Sequence, residues 1–263
     1  MSHVLEPVVR PLRLPGQRAS GSVYRVLARA DHEVPYALYR DQRRITLATR
    51  PEAVAHALAA QINRQAIESS IDDHVLLHAA AATRAGITVI LPAEQERGKT
   101  TTVAGLLREG YGYVTDEAVA LDPSSGRIEP FPKALSIDRG AWPLFPECRP
   151  QSVATGTRQW NVPADRLGAV TERGSVGPPR VVVFPMYAPG NSTRCTLMSR
   201  GEGVRELAQA TFHFPRHATR NLRTLAAVAA AATIAQLRIG SLEDAVEAIE
   251  MLVSQQIVEE LCG

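Results

Sequence analysis

A chain of 263 residues, 45% hydrophobic and 21% charged, can bury a sizeable core as one large domain or two small ones. Its 29 basic and 27 acidic residues nearly cancel to a formal +2, so charge gives no reason to propose nucleic acid as a partner. Three scattered cysteines, Cys148, Cys195 and Cys262, fit neither a disulfide framework nor a zinc site and suit a reducing cytoplasm.

The first 19 residues are rich in Pro and Arg and read as an arm or loosely held tail, without the apolar run of a secretory signal. "SVYRVLARA" and "YALYRDQRRITLATR" alternate β-branched and aromatic residues and predict strands. A helix follows: Thr49 and Glu52 have capping-box spacing, Pro51 lies in the first turn, and Val54, Leu58 and Ile62 share a face. "HVLLHAAAATRAGITVILPA" predicts two strands around a turn at residues 84–86. "GKTTTVAGLLREG" predicts a helix stopped by Gly110, and "YGYVTDEAVALD" the next strand. "IEPFPKALSID" reads as an edge strand because of its prolines, with Lys133 as a surface lysine on it.

Residues 142–180 have little periodicity and read as a long irregular connection or flap, with Trp142 and Trp160 either anchoring it or lining a cleft. "RVVVFPMYA" and "RCTLMSR" predict short strands. From His217 on, the pattern is helical, broken near Gly240. Ser241 and Asp244 open a last helix whose stripe, Leu242, Val246, Ile249 and Val253, suits either core or interface. The longest apolar run, Leu225 to Leu237, falls short of the ~20 residues that cross a bilayer, so no membrane partner is expected.

Three stretches carry candidate chemistry. In "LPAEQERGKTTT", Gly98, Lys99 and Thr100 end a phosphate-binding loop pattern fed by the strand "ITVILP". Such a loop wraps phosphates with backbone N–H groups at a helix N-terminus, where the helix dipole favours anions. The consensus glycine is Ala93, and Glu94 and Glu96 add negative charge, with Arg97 offsetting one of them. The same letters also suit a plain strand-to-helix turn. Asp116 and Glu117 lie where a strand leaves the core. Phosphoryl transfer needs one carboxylate for Mg²⁺ and often another for the hydroxyl proton. Adjacent strand residues point to opposite faces, so both acids serve one site only at a strand end or bend. His78 closes "HVLLH"; alone it reads as a hydrogen-bonded core residue. His213 and His217, with Pro215 between them, are not on one regular helix face, and Arg216 and Arg220 read as a solvated basic face or a phosphate contact.

Together, "LLHAAAA", "GKTT" and "YVTDEAVALD" resemble the HPr kinase/phosphorylase-like kinases, with a weaker likeness in "RNLRTLAAVAAAATIAQLRIG". The resemblance implies an α/β fold with a central mixed sheet and a P-loop, related to phosphoenolpyruvate carboxykinases, flanked by helices. It implies one domain over residues 20–263, with a β-β-α portion at 20–70 and a nucleotide-binding core with closing helices at 71–263. It implies a kinase using ATP and Mg²⁺ on a serine hydroxyl of a peptide or small protein, as in peptide natural-product maturation, and a possible homo-oligomer. Carried onto this chain, it makes Ala93, Glu94, Gln95, Glu96, Arg97, Gly98, Lys99, Thr100 and Thr101 the nucleotide loop. Lys99 holds the β/γ-phosphates. Thr100, Asp116 and Glu117 serve the metal, and Asp116, His78 and Lys99 act in catalysis. A binding module on the same fold without turnover is the alternative.

Overall fold

In a computed structural model of the chain, residues 1–13, 21–29, 32–94, 97–150 and 158–262 are described. Residues 2–9, expected in a loose arm, form a helix, α1 (Ser2–Val9), because Leu5, Val8 and Val9 find an apolar surface to cover. That surface belongs to a three-stranded antiparallel sheet, β1 (Tyr24–Ala28), β2 (Tyr36–Arg40) and β3 (Arg43–Ala48), and to α2 (Pro51–Ser70). Val54, Leu58 and Ile62 pack on it as their spacing predicts, around the fully buried Leu38. The capping box at Thr49 is absent: Arg50 is the N-cap and makes no side-chain cap, leaving Pro51 in the first turn as the start signal.

Among the described residues the main sheet has eight strands. β4 (Val75–Arg84) and β5 (Ile87–Pro92) form a hairpin, and α3 (Lys99–Arg108) follows β5. β6 (Gly112–Thr115) and β7 (Ala118–Leu121) both pair with β4, and β8 (Ile128–Glu129) edges β7. β9 (Leu135–Asp138) and β10 (Gln159–Val162) make a separate two-stranded ribbon. β11 (Pro179–Tyr187), β12 (Arg194–Leu197), α4 (Arg200–Gln209), α5 (Ala218–Ala231), β13 (Thr233–Ile239) and α6 (Leu242–Cys262) complete the chain. The strand order is β12-β13-β11-β5-β4-β7-β8, with β6 also on β4. β11 runs parallel to β5 and β13 and the other pairs are antiparallel, so the architecture is α/β around a mixed sheet.

Strand alternation divides the core. Ala80 and Ala82 of β4, with Val89 and Leu91 of β5, face α3, α6 and the connection at 135–169. Ala79 and Ala81, with Ile90, face α4 and α5. The alanine run therefore supplies a thin central strand that lets helices approach from both sides.

Three expectations need correction. "IEPFPKALSID" is two strands on two sheets, separated where Pro130 and Pro132 remove ladder donors. Residues 142–180 are no flap. Phe145, Trp160, Val162 and Leu167 are buried in the main core, and Trp142 stacks on Trp160 at 4.5 Å and 8°; residues 151–157 lie outside the described set. The Ala-rich C-terminal run is helix only to Ala231 and then becomes β13, whose Ala235, Leu237 and Ile239 are buried at every second position between the exposed Gln236 and Arg238. The stripe from Leu242 to Val253 is core, packed with α3.

Candidate active site

The register around β4 explains where the acids sit. Ala81 pairs with Thr115 of β6 and His78 with Ala118 of β7, so Asp116 and Glu117 occupy the break between two strands on one line. The bend frees both carboxylates from strict alternation. On the other side of β4, Ala79 pairs with Pro92, the last residue of β5, so the break lies beside the exit to α3.

The loop from 93 to 98 reaches α3 through Gly98, whose φ of +97° is the left-handed conformation a side chain resists. The space around it is ordinary, with Ile239 Cδ1 3.6 Å from a built Cβ, so the backbone angle alone selects glycine. Ala93 has no positive φ, and a methyl there is free of strain. Glu94 points outward, 84% exposed, with Arg97 at 3.8 Å. Gln95 and Glu96 lie outside the described residues. The N-cap of α3, Gly98, offers no side chain to the first N–H groups of the helix, the groups that bind an anion at a helix start.

Lys99 is buried, and its Nζ donates to the carbonyls of Ala93 and Glu94, both at 2.7 Å. Burial pushes its pKa down to about 8, and the charges of Glu117, Asp116 and Glu94 act against that shift. Thr100 Oγ1 donates to Asp116 Oδ2 at 3.4 Å, and Thr101 follows, half-buried, in the same turn. His78 donates its backbone N–H to Ala210 at 2.7 Å, and its ring lies against Phe212. Burial, then the Lys99 charge, pushes the ring pKa down to about 4, so His78 is neutral near pH 7.

No family model matches the chain, and no curated protein matches it. Among solved structures, the Hpr(Ser) kinase/phosphatase from Coxiella burnetii matches 70% of this chain and 97% of its own, at 14% identity and a TM-score of 0.35. The roles below rest on geometry.

A residue that sequence reasoning misplaced completes the cluster. Lys133 is buried, and its ammonium lies 2.7 Å from Asp116 Oδ1 and 3.8 Å from Glu117 Oε2. It is not a surface lysine, because the chain between β8 and β9 turns it inward under the strand break. Asp116 accepts from three donors, Lys133, Thr100 Oγ1 at 3.4 Å and the Ser136 N–H at 3.1 Å, and the Tyr113 hydroxyl oxygen lies 3.3 Å from it. Glu117 is freer. Asn63 Nδ2 donates to it at 3.4 Å, its side chain is 30% exposed, and burial raises its pKa against the pull of Lys133. A composition signal could have found Lys133. Of 29 basic residues only Lys99 and Lys133 are lysine, and both are buried, Lys133 against the acids.

The remaining candidates do not join. His217 Nε2 lies 3.0 Å from Asp72 Oδ1, and Arg216 pairs with the other oxygen at 2.8 Å. Arg220 donates to the carbonyls of Ile71, Asp72 and His74, holding the turn after α2. His213 sits in a left-handed turn. Among the described residues no three His, Cys, Asp or Glu side chains could hold a metal ion on their own. Thr100, Asp116 and Glu117 offer hard oxygen donors, which suits Mg²⁺ only when nucleotide phosphates and water fill its remaining positions. No helix among the described residues is long and apolar enough to cross a membrane.

Proposed function

We propose that this protein is an ATP-dependent phosphotransferase that moves the γ-phosphoryl group to a hydroxyl, with a serine of a peptide or small protein as acceptor. One observation carries the reading. Thr100, at the start of α3, reaches Asp116 at 3.4 Å beside Glu117, and the charges of Lys99 and Asp116 act on His78.

In this reading residues 93–98 are the P-loop. The first N–H groups of α3 and the Lys99 ammonium bind the β- and γ-phosphate oxygens, releasing Lys99 from the two loop carbonyls. Thr100, Asp116 and Glu117 hold Mg²⁺, which supplies charge neutralisation on the phosphates. The acceptor hydroxyl oxygen bonds to the γ-phosphorus as the β–γ bridge breaks and ADP leaves. Glu117 takes the hydroxyl proton, because its side chain is partly open, whereas three donors already surround Asp116. His78, neutral near pH 7, adds no competing positive charge. Most of the acceleration then comes from placement and charge neutralisation.

Transfer of labelled γ-phosphate to a serine-peptide panel tests this, with Lys99→Ala as control. Transfer by the wild type that Lys99→Ala lacks is expected; equal transfer by both would refute the site. A second reading, nucleotide binding without turnover, is favoured by one feature: the resting site satisfies itself, with Lys99 on loop carbonyls and Asp116 ringed by donors. Calorimetric binding of Mg²⁺-ATP with no transfer across the panel selects it.

A further inference from the structure

A buried lysine is expensive unless an anion and further acceptors compensate it. Lys133 has them. Its ammonium meets Asp116 Oδ1 at 2.7 Å, the Ala134 carbonyl at 2.9 Å and Ser136 Oγ at 3.2 Å, which uses all three of its N–H donors. Its backbone is fixed as well: the Tyr113 hydroxyl donates to its carbonyl at 2.8 Å, and its N–H donates to Phe131 at 2.9 Å. This chain uses arginine at every other basic position, so a compact ammonium appears only here and at Lys99.

Resting on the phosphotransferase reading, we propose that Lys133 is a fixed counter-cation that stands where a divalent ion would bridge Asp116 and Glu117, so that the metal enters only together with nucleotide phosphates. The charges around the acids explain the effect. Asp116 and Glu117 carry two negative charges, and Lys133 and Lys99 two positive ones. A free divalent ion meets no net attraction and a positive charge held against the best carboxylate oxygen. A nucleotide brings several negative charges with it, takes Lys99 for its own phosphates, and leaves Glu117, Thr100 and the outer side of Asp116 to share the ion. Lys133 touches no substrate in this scheme. It is a positioning residue that sets the order of metal and nucleotide binding.

The test measures Mn²⁺ binding without nucleotide, by titration calorimetry and by thermal shift. It compares the wild type with Lys133→Met, Lys133→Gln and the charge-retaining Lys133→Arg. Wild type and Lys133→Arg should bind Mn²⁺ weakly and melt at temperatures it does not change. Lys133→Met and Lys133→Gln should bind at least about tenfold more tightly and be stabilised by the ion. Adding Glu117→Gln to Lys133→Met should remove the gain. Unchanged affinity in both neutral variants overturns the proposal. So does failure of both to fold even with millimolar Mn²⁺, because the lysine then serves the core alone. The phosphotransferase reading fails or survives separately, on phosphate transfer by the wild type.

Discussion

Asp116→Asn removes one charge and almost no volume, which makes it a clean probe of the buried cluster. Asp116 is 4% exposed, and Lys133, 5% exposed, is its ion-pair partner at 2.7 Å. An amide has one acceptor oxygen and one NH₂. Turned one way, its NH₂ meets the Lys133 ammonium; turned the other, it meets the Ser136 N–H. Either way a buried donor faces a donor and the ammonium loses its anion. Breaking a buried pair by removing one partner costs about 3–5 kcal/mol. At roughly 2–4 °C per kcal/mol for a chain of this size, the melting temperature should fall by about 6–20 °C. Urea and thermal denaturation without nucleotide measure it. The double variant Asp116→Asn/Lys133→Met removes both charges and should recover about half the loss or more, giving a favourable coupling in the double-mutant cycle. An Asp116→Asn protein that melts within about 2 °C of wild type would refute this account of the cluster, since the buried-pair cost predicts several times that. A double variant no more stable than Asp116→Asn would also refute it.

Glycine packing and histidine titration give two further outcomes. A Cβ on Gly240 would sit 1.9 Å from the Asn191 carbonyl oxygen, whereas one on Gly105 would meet only the side-chain ends of Val246 and Leu242, at 2.8 and 2.9 Å. Gly240→Ala should therefore cost clearly more in urea denaturation than Gly105→Ala, which also gains about 1 kcal/mol of helix propensity; the reverse order would contradict the packing. The His78 ring pKa is depressed from 6.5 to about 4, so the fold favours the neutral ring. Its stabilising contribution is complete above about 6.5 and is lost as pH falls toward 4. Wild type should lose more stability between pH 7 and 5 than His78→Gln does, and equal losses would show that the ring is not held neutral.

How much the sequence reveals depends on which physical rule governs each element. Hairpins and amphipathic helices are local, and the β4–β5 turn, α2 and α3 are legible from alternation, spacing and Gly110. The strand break at Asp116 and Glu117 was legible only as a condition for both acids to share a site; the register of β6 and β7 on β4 meets it. β13 was hidden because alanine-rich sequence suits a helix, and pairing on both sides, parallel with β11 and antiparallel with β12, overrides that preference. α4 was passed over although Ser199 and Glu202 form a full capping box. The connection at 142–180 has no periodicity because it packs through short 3₁₀ turns and single buried side chains rather than one repeating face. Lys133 was misplaced because a lysine near prolines usually faces water, and its anion lies 17 positions upstream, on another strand line.

The departures from the phosphate-loop consensus therefore weigh less than their letters suggest. The loop contacts Lys99 through two backbone carbonyls, which any residue supplies, and turns the Glu94 side chain into solvent. Glycine is required only where the backbone enters the left-handed region, which among the described loop residues is Gly98, φ +97°. Ala93→Gly should then leave Mg²⁺-ATP affinity within about threefold of wild type, below the ~1.4 kcal/mol of a tenfold change. Gly98→Ala forces a side chain into that conformation at about 1–2 kcal/mol, paid in lost stability or in a displaced start to α3, and should weaken ATP about tenfold or more. Calorimetry on the two variants decides it. If Ala93→Gly tightens binding strongly while Gly98→Ala leaves it unchanged, the loop is limited by its missing glycine and not by the turn into the helix, and the N–H groups at the start of α3 are not what receives the phosphates.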